Sequence, residues 1–231
     1  LVIEGLITNQ PGPYQVRLTT TKGYLDESTT PGVNGALVIV SDNQGTIDTL
    51  KQVSEGLYKT SRLQGKPGNT YYLRAVVNGK EYSAQSYMPT VSNIDSLSFV
   101  YRAAGHMVDE GYYPYIHFQD PSGKGNYYRW NVYINGELEP DELAVLNDEL
   151  YDGSYGNANM QFALKKGDHL KVELFSLEKS AYDFWYALMN QQNAGGGPFE
   201  STPANAPGNI SGGAIGYFGA SAVSVAEGVA E

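Results

Sequence analysis

Residues 71–85, Tyr-Tyr-Leu-Arg-Ala-Val-Val-Asn-Gly-Lys-Glu-Tyr-Ser-Ala-Gln, decide the fold class. Tyr71, Leu73, Ala75 and Val77 fall on alternate positions, the two-residue period of a strand with one buried and one wet face. Asn78-Gly79 follows, a dipeptide that takes the positive φ angles of a tight hairpin turn at low cost, and Lys80 to Gln85 supplies the returning strand. Upstream, Gln15 to Thr19 alternates in the same way. Asp42-Asn43-Gln44-Gly45 turns the chain between Ala36 to Ser41 and Thr46 to Leu50, and Pro11-Gly12-Pro13 separates the opening strand, Leu1 to Ile7, from the next. About six or seven short strands punctuated by turns describe a β-sandwich over residues 1–91.

Met88-Pro89 ends that unit and Thr90 to Asp95 reads as a connector, which places a boundary near residue 92 and a second domain over 92–231. Its strands are Ser96 to Tyr101, Tyr113 to Gln119, Tyr127 to Ile134, Phe162 to Leu164 and His169 to Phe175. Asp120-Pro121-Ser122-Gly123-Lys124-Gly125, Asn135-Gly136 and Lys166-Gly167-Asp168 supply turns. Near 179–192, Tyr182, Trp185, Tyr186 and Met189 recur at helical spacing, so one amphipathic helix is predicted, stopped by Ala194-Gly195-Gly196-Gly197-Pro198. Ile210 to Val225 reads as a final pair of small-residue strands. The expected fold is mostly β: an N-terminal Ig-like sandwich, then a β-rich domain with one helix.

Composition narrows the function. Only 17% of the 231 residues are charged while glycine numbers 27, which favours strands and turns over charged helices. Fifteen basic against 25 acidic side chains give a formal charge of −10, which repels phosphate backbones and argues against nucleic-acid binding. Cysteine is absent, which excludes a disulfide framework, a thiol nucleophile and a thiolate zinc site. The longest apolar runs, such as Leu37 to Val40, fall far short of a spanning helix. The chain opens directly on a strand, so a trimmed or mature form is expected.

No catalytic motif emerges. His106, His117 and His169 are scattered and form no close metal-binding pair. His117 shares one side of an alternating strand with Tyr115 and Gln119, opposite Ile116 and Phe118, so its ring is expected at solvent or a polar edge. A nucleophile elbow, a phosphate-binding loop and a dinucleotide fingerprint are all missing, and Gly195 to Gly197 follows a helix where such a loop would precede one. Glu137, Glu139, Asp141, Glu142, Asp148, Glu149 and Asp152 form an acidic stretch that reads as a hydrated loop. Calcium is the cofactor it could carry, with Asp141, Glu142, Asp148, Glu149 and Asp152 as the candidate oxygen donors, although the spacing does not match a calcium-loop motif. The same stretch holds the carboxylates a glycoside hydrolase would need, an alternative that needs a cleft the sequence does not define.

Tyrosine is the dominant aromatic, with 19 copies against seven phenylalanines and two tryptophans. Tyr112, Tyr113, Tyr127, Tyr128, Trp130, Tyr151 and Tyr155 fall close together in the second domain. Such rings combine rigid apolar area with a polar tip, which suits sugar or peptide recognition as well as strand packing. These seven are the candidate ligand-binding residues.

Several separate passages carry a family resemblance. "LVIEGLITNQPGPYQVRLTTTKGY" from Leu1, "GALVIVSDNQG" from Gly35, "GLYKT" from Gly56 and "GKPGNTYYLRAVVNGKEYSAQSYMP" from Gly65 lead; "NYYRWNVYINGE" from Asn126 and "DHLKVELFSLEKSAYDFWYALMNQQNAGGGPF" from Asp168 follow; "PANAPGNISGGAIGYFGASAVS" from Pro203 closes. Together they resemble a Bacteroidota outer-membrane lipoprotein family of unknown function, encoded beside SusC/SusD-type importers, in which SusC is a TonB-dependent barrel and SusD its lipoprotein lid. The first half also resembles the transthyretin-like sandwich of carboxypeptidase regulatory domains. The resemblance implies a non-enzymatic, lipid-anchored protein at the cell surface that serves nutrient uptake, binding a glycan or peptide or docking on the importer complex. Its anchor would sit on a cysteine, which this sequence lacks, so the acylated residue is expected ahead of Leu1. A structural subunit that lends its C-terminal small-residue segment to another sheet is the alternative.

Overall fold

The computed structural model describes residues 1–21, 30–106, 108–139, 144–193 and 206–231, with the side chains of 144, 192 and 193 excepted. In chain order the strands are β1 (Val2–Thr8), β2 (Gln15–Thr19), β3 (Leu37–Asp42), β4 (Ile47–Thr49), β5 (Lys51–Ser54), β6 (Leu57–Lys59), β7 (Thr70–Val77), β8 (Lys80–Tyr87), β9 (Ile94–Arg102), β10 (Gly111–Gln119), β11 (Tyr127–Ile134), β12 (Glu137–Leu138), β13 (Ala144–Asn147), β14 (Tyr155–Asn159) and β15 (His169–Leu177). The helix α1 (Lys179–Asn193) and a long last strand β16 (Ile215–Val229) follow. The protein is mostly β with a single helix among the described residues, as its composition suggests.

The chain forms two compact units. The first contains Leu1–Thr90 and Leu177–Ala222; the second contains Val91–Ser176 and Val223–Glu231. The first crossing lies beside the expected boundary. The expected second domain is not contiguous, however, because residues 177–222, helix included, return to the first unit.

In the first unit, β4-β3-β7-β8 make one sheet, and the N-terminal half of β16 continues through β1, β2, β6 and β5 in another. The β7–β8 hairpin has the predicted register, with Val77 opposite Lys80 and positive φ at Asn78 (49°) and Gly79 (80°). Alternation explains the core: Val38, Val40, Tyr71, Leu73 and Ala75 are buried on one sheet, and Ile3, Ile7, Val16 and Leu18 on the other. Ile210 to Val225 does not form a strand pair. Its second half is one strand that runs parallel to β1, Val2 opposite Ile215 through Thr8 opposite Ser221. Parallel pairing needs a long crossover, so no local turn signal announces it. Gly216 makes the approach possible: its φ is +106°, and a Cβ there would meet the Ile3 carbonyl oxygen at 2.1 Å.

In the second unit, β12-β11-β15 and the C-terminal half of β16 form one sheet, to which β13 adds along β11. A three-stranded antiparallel sheet has the order β14-β10-β9. Ile116 and Phe118 from β10, Tyr128, Trp130 and Val132 from β11, and Leu170, Val172 and Leu174 from β15 share one core. Phe162 to Leu164 is not a full strand, although Leu164 makes an isolated bridge to Tyr112. The connector is shorter than expected, since β9 already begins at Ile94.

Candidate functional site

The strand β10 divides its side chains between two environments. Ile116 and Phe118 enter the core, while Tyr115, His117 and Gln119 point the other way, as the alternation predicts. Antiparallel registry sets neighbours beside them. Tyr115 lies between Ser98 of β9 and Asn159 of β14, and His117 between Ser96 and Asn157. Gln119 lies opposite Tyr155. This outer face therefore carries three flat rings, Tyr115, His117 and Tyr155, among serine and asparagine side chains.

The rings are held in place. The His117 Nε2 lies 2.7 Å from the Ser98 hydroxyl, and its ring stacks nearly parallel to Tyr155, with centroids 6.3 Å apart and planes 14° apart. Arg102 donates to the Tyr115 hydroxyl at 2.7 Å and lays its guanidinium 4.2 Å from the centre of the Tyr113 ring. Its side chain is thereby fixed at one end of the face. Tyr155 remains 60% exposed, so one side of the His117–Tyr155 stack is open.

The other expected ligand residues lie elsewhere. Tyr128 and Trp130 are 1% and 4% exposed, and they belong to the core. They share the apolar side of β11 with Val132, so neither ring offers a face to a ligand. Tyr113 is 5% exposed beneath Arg102, its hydroxyl donating to the Asp109 carbonyl. Tyr112 is half-buried on the core side of β10, edge-on to Tyr101. Tyr127 and Tyr151 are half-buried on β11 and on the turn after Asp148. The expected seven-residue platform is therefore not one surface, and only Tyr155 of that set presents an open ring.

The acidic candidates separate too. Asp141 and Glu142 lie outside the described residues, and Glu149 is exposed. Asp148 and Asp152 come together with Asp120, one carboxylate oxygen from each lying within 4.8 Å of the others. Asp120 comes from the turn after β10, and sequence spacing alone did not connect it with the other two. These three are the described side chains that could hold a cation. Their oxygens already bind donors: Asp120 accepts from the Tyr128 hydroxyl at 2.6 Å and the Gly153 amide at 2.9 Å. Asp148 accepts from the amides of Gly125 and Asn126, and Asp152 from that of Gly123. Burial alone would raise the Asp148 carboxyl, but these amides outweigh it and hold it below the ordinary aspartate value. The cluster clasps the loops 120–126 and 148–154 together.

A family model described as a domain of unknown function (DUF4249) matches residues 1–227. The chain belongs to the DUF4249 family. No curated protein matches it. Among solved structures, the adhesin InvE of Yersinia pseudotuberculosis matches at 15% identity with a TM-score of 0.25, over 76% of this chain and 55% of the adhesin chain. This DUF4249 chain thus spans just over half the length of that adhesin, and a likeness this slight carries no function across. Among the described residues no helix is long and apolar enough to cross a membrane.

The first unit of this DUF4249 protein has its own shallow groove of about 490 Å³, lined by Tyr72, Arg74, Glu81, Ser83, Gln85 and Asn209. Arg74 and Glu81 neutralise each other there at 2.7 Å.

Proposed function

We propose that this DUF4249 protein is a non-catalytic binding accessory at the outer-membrane surface, lipid-anchored and associated with a SusC/SusD-type importer, and that it captures a neutral glycan. The observation that carries the glycan reading is the outer face of β9, β10 and β14. Tyr155, stacked on His117, supplies a flat apolar surface for a sugar ring; Ser96, Asn157 and Gln119 supply uncharged donors and acceptors. Beside them, Arg102 donates a hydrogen bond to Tyr115 and is held at one end of the face. A face whose polar groups are mostly uncharged favours an uncharged ligand over a charged peptide. The surface setting and the importer association rest on the sequence resemblance.

The hydrolase alternative has weaker support. Two of the clustered carboxylates are buried, and their oxygens accept main-chain amides, which supports a loop-clasping role better than a catalytic one. The strand-donor alternative is disfavoured as well, because β16 is already flanked by β1 and β15.

Two experiments test the reading. An array of neutral and charged glycans probed with the full chain is expected to show binding to neutral structures and no turnover. Affinity purification of the tagged full-length protein from detergent-solubilised outer membranes is expected to recover a barrel importer and its lid. Recovery of the protein alone and unacylated would remove the accessory assignment.

A further inference from the structure

The outer face of the β14-β10-β9 sheet repeats itself. Antiparallel register sets Ser96 of β9, His117 of β10 and Asn157 of β14 side by side in one row. Two residues along each strand, where side chains return to the same face, Ser98, Tyr115 and Asn159 make the next row. Each row therefore has a hydroxyl, a flat ring and a carboxamide in the same order, and the rows lie about 6.6 Å apart, twice the rise per residue. Tyr155, opposite Gln119, extends the column of rings by one further row and lies nearly parallel to His117.

The array is bounded at both ends. Beyond Tyr115 the next ring on that side of β10, Tyr113, is covered by the Arg102 guanidinium and is 5% exposed. Beyond Tyr155, β10 stops at Gln119 and the chain enters the loop 120–126. Three rows remain, spanning about 13 Å. Neither repeated row holds a carboxylate, an ammonium or a guanidinium. Because β10 is paired on both sides, recognition on this face falls to side chains. The Ser98 oxygen, 2.7 Å from the His117 Nε2, keeps an acceptor site whichever imidazole tautomer is present.

We propose that the two rows are adjacent, equivalent subsites for a linear, extended glycan built from one repeated neutral sugar and running along β10. The inference deepens the glycan reading, on which it rests, by naming the ligand's architecture and by adding Ser98, Tyr115 and Asn159 to the residues that select it. A surface that repeats in sequence matches a ligand that repeats in sequence. Each ring takes the apolar face of one sugar, while the hydroxyl and the carboxamide beside it, which both donate and accept, meet hydroxyls on opposite edges of that sugar. An extended chain keeps successive sugars in line with the rows. A coiled chain, such as an α-1,4-linked glucan, turns them off that line.

The test titrates the full chain by calorimetry with β-1,4-linked oligomers of glucose, mannose and xylose, from monomer to hexamer, and with α-1,4-linked glucose oligomers as the coiled control. In the series that binds, affinity should rise by about fivefold with each added sugar. The rise should level off at about four sugars, once the three rows are covered. Tyr115→Ala should leave the disaccharide, which occupies the Tyr155 and His117 rows, unchanged and stop the rise there. Tyr115→Phe keeps the ring and should retain the rise. Asn157→Ala, at an exposed position, should weaken every oligomer from the disaccharide upward at an unchanged urea midpoint. The inference is overturned by affinity that does not grow with length, by α-1,4 oligomers that bind as tightly as the extended ones, or by a length series that neither Tyr115→Ala nor Asn157→Ala alters. It also falls if no extended series binds while another neutral glycan of the array does; each of these outcomes leaves the neutral-glycan reading standing. Absence of binding to every neutral glycan removes both.

Discussion

Replacing Tyr128 by phenylalanine removes one oxygen from the core of the second unit and tests what that residue is for. The hydroxyl is buried, donates to the Asp120 carboxylate at 2.6 Å and lies 3.0 Å from the Ser92 hydroxyl. Burial, followed by the Asp120 carboxylate, pushes the phenol well above its ordinary value, so it remains a donor at every working pH. The ring stays in the variant, and with it the edge-to-face contact to Phe118 at 5.6 Å, so no large cavity opens. The lost quantity is a hydrogen bond to a charged acceptor, about 1.5 to 3 kcal/mol. Asp120 keeps the Gly153 amide and is not orphaned, which places the expected loss near the middle, about 2 kcal/mol. Urea unfolding should show a lower midpoint at unchanged slope. Glycan binding should be unaltered, because no part of Tyr128 reaches the outer face. A loss below about 0.5 kcal/mol would refute the hydrogen-bond reasoning, and a fall in glycan affinity with unchanged stability would return Tyr128 to the binding site.

Acid should weaken both units. Asp48 is buried and accepts from the amides of Ser61, Arg62 and Leu63 at 2.7 to 2.9 Å; burial raises its carboxyl, but these bonds together hold it below the ordinary 3.8. A carboxyl depressed on folding adds stability above its unfolded value, which is lost as pH falls through the folded value. Asp148 adds the same dependence in the second unit, so a pH series of urea midpoints should decline below about pH 4. Asp48→Asn should flatten the first unit's share of that decline at a cost of about 2 kcal/mol at neutral pH. Gly216→Ala should destabilise by more than about 2 kcal/mol, since the positive φ and the Ile3 carbonyl both oppose a side chain; an unchanged melting temperature would contradict the β1–β16 pairing. Melting of the full chain should be the same with calcium and with chelator, because donors already occupy the Asp120–Asp148–Asp152 oxygens. A calcium-dependent rise would instead assign a bound cation there.

What the sequence revealed was local. Asn78-Gly79 and Asn135-Gly136 identify their turns because the chemistry of a positive φ is confined to two residues. The orientation of His117 was legible from five alternating positions of β10. Alternation also pointed to the burial of Tyr128 and Trp130, which share a side of β11 with Val132 while Arg129 and Asn131 take the other; aromatic density obscured that pattern. Burial lowers even the Arg129 guanidinium to about 10, so the opposite side of β11 is also partly enclosed. Other features depend on distant partners. Tyr-Gly-Asn-Ala-Asn, residues 155–159, has little apolar alternation and becomes a strand by pairing with β10, which is how Asn157 and Asn159 escaped notice. The parallel contact of β16 with β1, and the meeting of Asp120 with Asp148, join segments that no spacing rule connects.

The most direct test of the binding account is calorimetric titration of the best neutral glycan from the array into the full chain and into Tyr155→Ala. Tyr155 is the open half of a stacked pair on the proposed face, and truncating a central aromatic anchor costs about 2 kcal/mol, or roughly thirtyfold in Kd. The account predicts that loss with an unchanged urea midpoint. Undiminished affinity in Tyr155→Ala, with loss instead on Tyr72→Ala in the groove of the first unit, would contradict it and move the site there.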